Sequence, residues 1–99
     1  MKYLATYRID QEKFLSILKK WIGMSPAEQM NAGDGVKILG RWHDVGARKG
    51  VAIFETTDVA ALARYLGLWN PYMDIEVAPV LDDEEVTAVA RYIVADNNA

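Results

Sequence analysis

The stretch from Val36 to Thr56, VKILGRWHDVGARKGVAIFET, decides the fold. Its first part alternates: Val36, Ile38 and Trp42 fall on one side, and Lys37, Leu39, Arg41 and His43 fall on the other, the pattern of a strand with one covered face. Val45 to Lys49 contains Gly46 and is short enough for a hairpin connection, after which GVAIFET is a nearly continuous apolar run. Such a run suits a strand buried at the centre of a sheet. The middle of the chain is therefore an antiparallel hairpin with one half-exposed and one central strand.

Outward from the hairpin, each side repeats the same unit. Lys2 to Arg8, KYLATYR, mixes apolar, aromatic and β-branched residues without helical spacing and reads as a strand. Asp10 follows as a candidate N-cap, Phe14, Ile17, Leu18 and Trp21 recur at helical spacing, and Gly23 provides a stop. Ser25, Pro26 and Glu28 have capping-box spacing with proline at the first helical position, which predicts one short helical turn before the loop Asn31 to Gly35. Downstream, Asp58 caps a second long helix with Val59, Leu62, Ala63 and Leu66 as its apolar stripe, ending near Trp69-Asn70-Pro71. Met73, Ile75 and Val77 then alternate with Asp74, Glu76 and Ala78 ahead of Pro79, which marks an edge strand because proline cannot donate to a ladder. A last helix starts in Asp82-Asp83-Glu84-Glu85 and carries Val86, Val89, Ala90, Ile93 and Val94, with fraying expected from Asp96 to Ala99.

The order strand, helix, strand, strand, helix, strand predicts an α+β, ferredoxin-like βαββαβ domain over residues 1–99, with an extra C-terminal helix. Its four-stranded antiparallel sheet has the first and third strands in the centre. Helices cover one face. The other face is too apolar for water, so a homodimer is expected.

Composition narrows the functional classes. The chain of 99 residues is 52 % hydrophobic and 25 % charged, with a net charge of −3, and has the size of a single domain. No apolar run approaches the roughly 18 residues of a membrane span. Met1 leads directly into the first strand with no signal-peptide pattern, so a cytoplasmic protein is expected. With no cysteine and one histidine, neither a metal site nor a cofactor is expected. The negative charge and the lack of a basic cluster argue against nucleic acid. An RNA-recognition module shares this order of elements, and Lys49 to Thr56 imitates its third-strand signature. However, the stacking positions hold Val51, Ile53 and Thr56 instead of rings.

The strand KILGRWHDV, the run GVAIFETTDVAALARYLGLWN and the ending MDIEVAPVLDDEE together resemble a small bacterial family known as domain of unknown function 3303. The resemblance covers Lys2 to about Glu85 and extends to the wider dimeric α/β-barrel group, in which two ferredoxin-like sheets pair into one barrel. It implies a fold and a dimer. That group includes cofactor-independent monooxygenases, muconolactone isomerases, chlorite dismutases, haem-degrading enzymes and members without known activity, and fold does not choose among them. No catalytic residues carry across.

The residues themselves offer candidates. His43 is a candidate general acid or base, with Arg41 on the same face as a candidate carboxylate ligand. Glu55, inside the central strand, is a second candidate catalytic group. Trp42 and the aromatics Tyr3, Tyr7, Trp21, Tyr65 and Trp69 are candidate walls of a ligand pocket between sheet and helices. Haem through His43 has only a lone histidine behind it, and the acids Asp82 to Glu85 are explained by the helix dipole. The architectural alternative makes Lys37 and Arg41 partners of Asp74 and Glu76 across a dimer. The leading expectation is a small homodimer that binds a small anionic or aromatic metabolite, with any catalysis cofactor-independent and of monooxygenase or isomerase type. The alternative is a non-catalytic structural or regulatory dimer.

Overall fold

A computed structural model describes residues 1–98. Strand β1 (Lys2–Arg8) leads into helix α1 (Gln11–Ile22), the short turn α2 (Pro26–Gln29) and the hairpin of β2 (Val36–Asp44) and β3 (Lys49–Thr56). Helix α3 (Val59–Trp69), strand β4 (Asp74–Val80) and helix α4 (Asp83–Asn97) complete the chain. The strands form one antiparallel sheet in the order β2-β3-β1-β4, the ferredoxin-like α+β arrangement with β3 and β1 central and the proline-bearing β4 at an edge. Ala99 and with it the last residue of the expected frayed segment lie outside the described residues. No helix among the described residues is long and apolar enough to cross a membrane.

Local chemistry explains the element boundaries. The Asp58 carboxylate accepts from the backbone N–H of Ala60 and Ala61, and Ser25 and Glu28 form the reciprocal capping box that their spacing predicts. Asp82 and Glu85 form a second such box at the start of α4. Asp10 occupies the N-cap position of α1, but its side chain makes no capping bond. Thr56 closes β3: its buried hydroxyl donates to the Gly35 carbonyl at 2.7 Å and accepts from the Asp58 N–H at 2.9 Å. It thereby ties the loop before β2 to the start of α3.

The core lies between α1, α3 and the inner sheet face, around Leu62 (1 % exposed) and Phe54 (2 %), with Ala5, Ile38 and Ala52. Three expectations change. On α3 the covered side is Ala61, Leu62, Tyr65 and Leu66, while Val59 and Ala63 face solvent, because the helix sits rotated relative to the expected stripe. On β2 the register slips between Ile38 and Gly40, so that Leu39 is an extra residue without a partner on β3. Because side chains alternate along a strand, one unpaired residue exchanges the faces beyond it. Arg41 and His43 therefore share the helix-covered side with Val36 and Ile38, and Trp42 turns to the opposite, bare side. Trp42 is 61 % exposed, its indole lying along its own strand against Gly40.

The third change concerns α4. Every described residue from Leu81 onward is exposed, including the stripe Val86, Val89, Ala90, Ile93 and Val94. The helix packs on nothing in its own chain and extends the molecule to 57 Å against 29 and 19 Å in the other directions. The radius of gyration of 16.7 Å exceeds the roughly 13 Å of a compact domain of this size.

Candidate functional site

The cavity begins with small residues. On the inner sheet face, Arg41, Ala52, Ala5 and Val77 stand abreast across the four strands, and His43, Gly50, Tyr7 and Ile75 form the next row. Ala5, Gly50 and Ala52 thus leave the middle of the sheet without bulk. Phe14, Ile17, Leu18 and Trp21 of α1 and Tyr65, Leu66 and Trp69 of α3 roof this depression. The half-open cavity measures about 240 Å³, beyond the about 150 Å³ that accommodates benzene in an apolar site.

The polar groups gather at its mouth, where the β2–β3 hairpin meets the connection between β1 and α1. Tyr7 and His43 are two strands apart, and their contact depends on the residue between them. Gly50 has no side chain, so the Tyr7 ring leans across β3 and its hydroxyl hydrogen-bonds His43 Nδ1. A Cβ on Gly50 would stand 2.6 Å from Cζ of Tyr7 and 2.6 Å from the Trp42 carbonyl oxygen. Trp21 supports the imidazole from the other side, with ring centroids 5.7 Å apart.

Electrostatics fix the protonation of the pair. Burial, and secondarily the positive charge of Arg41, hold the His43 pKa below its ordinary value, which favours a neutral ring at pH 7. Burial raises the Tyr7 pKa, with Arg41 opposing and Asp44 adding to the shift, so the phenol keeps its proton. A neutral imidazole bonded through Nδ1 presents Nε2 as its remaining polar atom.

Arg41 is held in place without a counter-charge. Its guanidinium donates to the Gln29 carbonyl at 2.6 Å and to the Tyr65 hydroxyl at 3.4 Å, and it lies 4.7 Å from the ring centroid of Trp21. Among the described residues the ion pairs involve only Lys2, with Glu55 and Asp82, so no carboxylate neutralises Arg41. Arg48, also at the mouth, donates from Nε to the Ile9 carbonyl and is a non-glycine residue in the left-handed region, with φ of 56°. The Asp44 carboxylate accepts from the Ala47 N–H and serves the hairpin turn.

The structure brings together Tyr7, Arg41, His43 and Trp69 around one cavity and separates two other sequence candidates from it. Glu55 lies on the bare sheet face and pairs with Lys2 at 3.6 Å. Trp42 is on that face too, for the reason given by the Leu39 bulge. Reading the sequence missed the floor residues Ala5, Gly50 and Ala52, whereas Trp21, a candidate pocket wall in the sequence, lines the cavity and is the residue against which both Arg41 and His43 rest. The alternate small residues Gly50 and Ala52 in β3, and the single Ala5 between Tyr3 and Tyr7 in β1, were the available signal.

No curated protein matches the chain. The family comparison is informative over nearly the full length: a family model matches residues 1–93, and the chain belongs to the family described as domain of unknown function (DUF3303).

Proposed function

We propose that this protein binds a small aromatic carboxylate in the cavity between its sheet and helices α1 and α3. A single observation carries the reading: an apolar cavity large enough for a substituted aromatic ring has, at its mouth, an arginine with no acidic partner beside a neutral histidine–tyrosine pair. A partly buried guanidinium without a counter-ion is costly, and a carboxylate that accepts its remaining N–H donors offsets that cost. Trp21, Tyr65 and Trp69 suit a planar ring. His43 Nε2 is the proton acceptor or donor nearest the bound carboxylate, and any chemistry in the site uses this pair without a cofactor.

The bare sheet face completes the proposal. Leu4, Val51, Ile53 and Trp42 lie there, uncovered by any helix of the chain, and a second copy stacked on this face makes a dimeric α/β barrel.

The test uses the sole histidine as a reporter. His43 is followed by NMR, and tryptophan fluorescence in parallel, while benzoate, 2-naphthoate and the corresponding uncharged amides are titrated in. The expected result is saturable movement of the His43 resonances and quenching by a carboxylate but not by its amide, weakened at least tenfold in Arg41→Gln. Absence of any response across the series overturns ligand binding and leaves the non-catalytic dimer as the function.

A further inference from the structure

We infer that α4 is an exchanged arm, which packs its Val86, Val89 and Ile93 stripe onto a second copy of this chain as a continuation of the bare sheet face. The inference rests on the dimer proposed above and adds to it a second, separable contact.

The helix needs a cover. Fifteen residues is near the lower limit for a helix stable alone in water, and five of these fifteen, Val86, Thr87, Val89, Ile93 and Val94, are β-branched and poor helix formers. Its capping box fixes where it starts but leaves the stripe in water, with Ile93 53 % exposed. Packing of an apolar face, which supplies most helix stability in proteins, is absent within the chain.

Position selects a second copy as the cover. Only Leu81 separates β4 from the cap residue Asp82, so the helix has no slack with which to fold back over its own sheet. Asp82 forms an ion pair with Lys2, whose register places it on the bare face beside Glu55. The arm therefore leaves from the bare side of the sheet. A copy stacked on that side lies in its path, and by two-fold symmetry each arm meets the other copy.

Area agrees. Four strands about 4.8 Å apart and seven residues long give the bare face a footprint of roughly 460 Å², well below the roughly 800 Å² per partner of a stable interface. A helix of fifteen residues, about 22 Å long and 10 Å wide, adds roughly 220 Å² and brings the sum near that size.

The experiment compares the full-length chain with the double variant V89D/I93D and with W42D by sedimentation equilibrium over a concentration series. Hydrogen exchange of the α4 amides is measured on each. Val89 and Ile93 are exposed on a helix that packs on nothing in its own chain, and the Trp42 indole lies along its own strand against Gly40, so far-UV circular dichroism is recorded on each variant to report whether the domain stays folded. The expected result is a wild-type dimer with protected α4 amides. Both variants dissociate at least a hundredfold more easily, and α4 loses its protection in each. A wild-type dimer that W42D weakens and V89D/I93D leaves unchanged overturns the arm and keeps the sheet-face dimer. A wild-type protein that is monomeric at every concentration overturns both.

Discussion

Substituting Gly50 by alanine tests the geometry of the site with one methyl group. The added carbon would stand 2.6 Å from Cζ of Tyr7 and 2.6 Å from the Trp42 carbonyl oxygen, and the second neighbour is backbone of a paired strand that cannot swing away. Overpacking of this kind typically costs about 1–3 kcal/mol. Losing the freedom of glycine in the unfolded chain returns about 0.4–1 kcal/mol, because Gly50 does not need positive φ. The net expectation is a destabilisation of about 1.5 kcal/mol, or about 6–12 °C in thermal midpoint for a domain of this size. Gly67 is the internal control: it lies in helix α3 with nothing within 4 Å of a built Cβ, so Gly67→Ala is expected to stabilise by about 0.5–1 kcal/mol. Urea unfolding of the two variants gives opposite signs if crowding is the cause. The Gly50 variant must also displace the Tyr7 ring from His43, which the imidazole resonances of the sole histidine register at once. Equal effects at the two glycines, or an unmoved His43 spectrum in Gly50→Ala, refute the reasoning that this glycine exists to let the tyrosine across.

Further predictions follow from the same contacts. Thr56→Val leaves the Gly35 carbonyl and the Asp58 N–H unpaired beneath the α3 start and is expected to cost about 1–3 kcal/mol in urea unfolding, whereas Thr56→Ser is nearly neutral. Leu62→Ala removes the most buried side chain and is expected to cost about 2–5 kcal/mol by the same assay. Arg41→Gln removes one of the two causes that lower the His43 pKa, so an NMR titration is expected to show that pKa rising toward the ordinary value, and no rise would place Arg41 out of electrostatic reach. Because the folded state binds a proton at His43 less readily than the unfolded chain, stability is expected to fall as pH drops below about 6.5 and to be flat above it as far as this group is concerned. The Glu28 and Asp82 carboxylates, each lowered chiefly by backbone N–H donors, lose their contribution only at pH below about 4.5. A His43→Gln variant therefore separates the two windows.

Most of the architecture was legible because it depends on local patterns. Caps at Ser25, Asp58 and Asp82, the alternation of β1 and β4, and the hairpin between β2 and β3 are set by residues within a few positions of one another. Pro79 placed β4 at the edge for a reason that needs no tertiary information. The site was half legible. Tyr7, Arg41, His43 and Trp69 carry side chains whose chemistry is visible in one dimension, but Gly50 matters through what its absent side chain permits two strands away. That is a property of register, which no single strand displays. The rotation of α3 about its axis, which exchanges Val59 and Ala63 for Ala61 and Tyr65, is likewise decided by the volume left over the sheet.

One residue accounts for the division of labour between the two faces of β2. Were Leu39 paired in the ladder like its neighbours, strict alternation would put Trp42 over the core and Arg41 and His43 on the bare face, leaving an apolar pocket with no polar mouth and a charged bare face. With Leu39 unpaired, the polar pair turns inward to Tyr7 and Trp21, and the indole turns outward to join Leu4, Val51 and Ile53. The sequence does mark the place, because Gly40 interrupts an otherwise β-prone run and glycine within a strand often accompanies a bulge. The polar mouth of the cavity and the apolar patch on the bare face are thus two consequences of a single unpaired position. Deleting Leu39 is expected to remove the bulge and keep the register beyond it, with Gly40 opposite Ile53 and Arg41 opposite Ala52: Trp42 stays open to an aqueous quencher such as acrylamide, and the His43 pKa stays lowered. A deletion that shields Trp42 from the quencher and returns the His43 pKa to its ordinary value refutes the assignment of the unpaired position to Leu39.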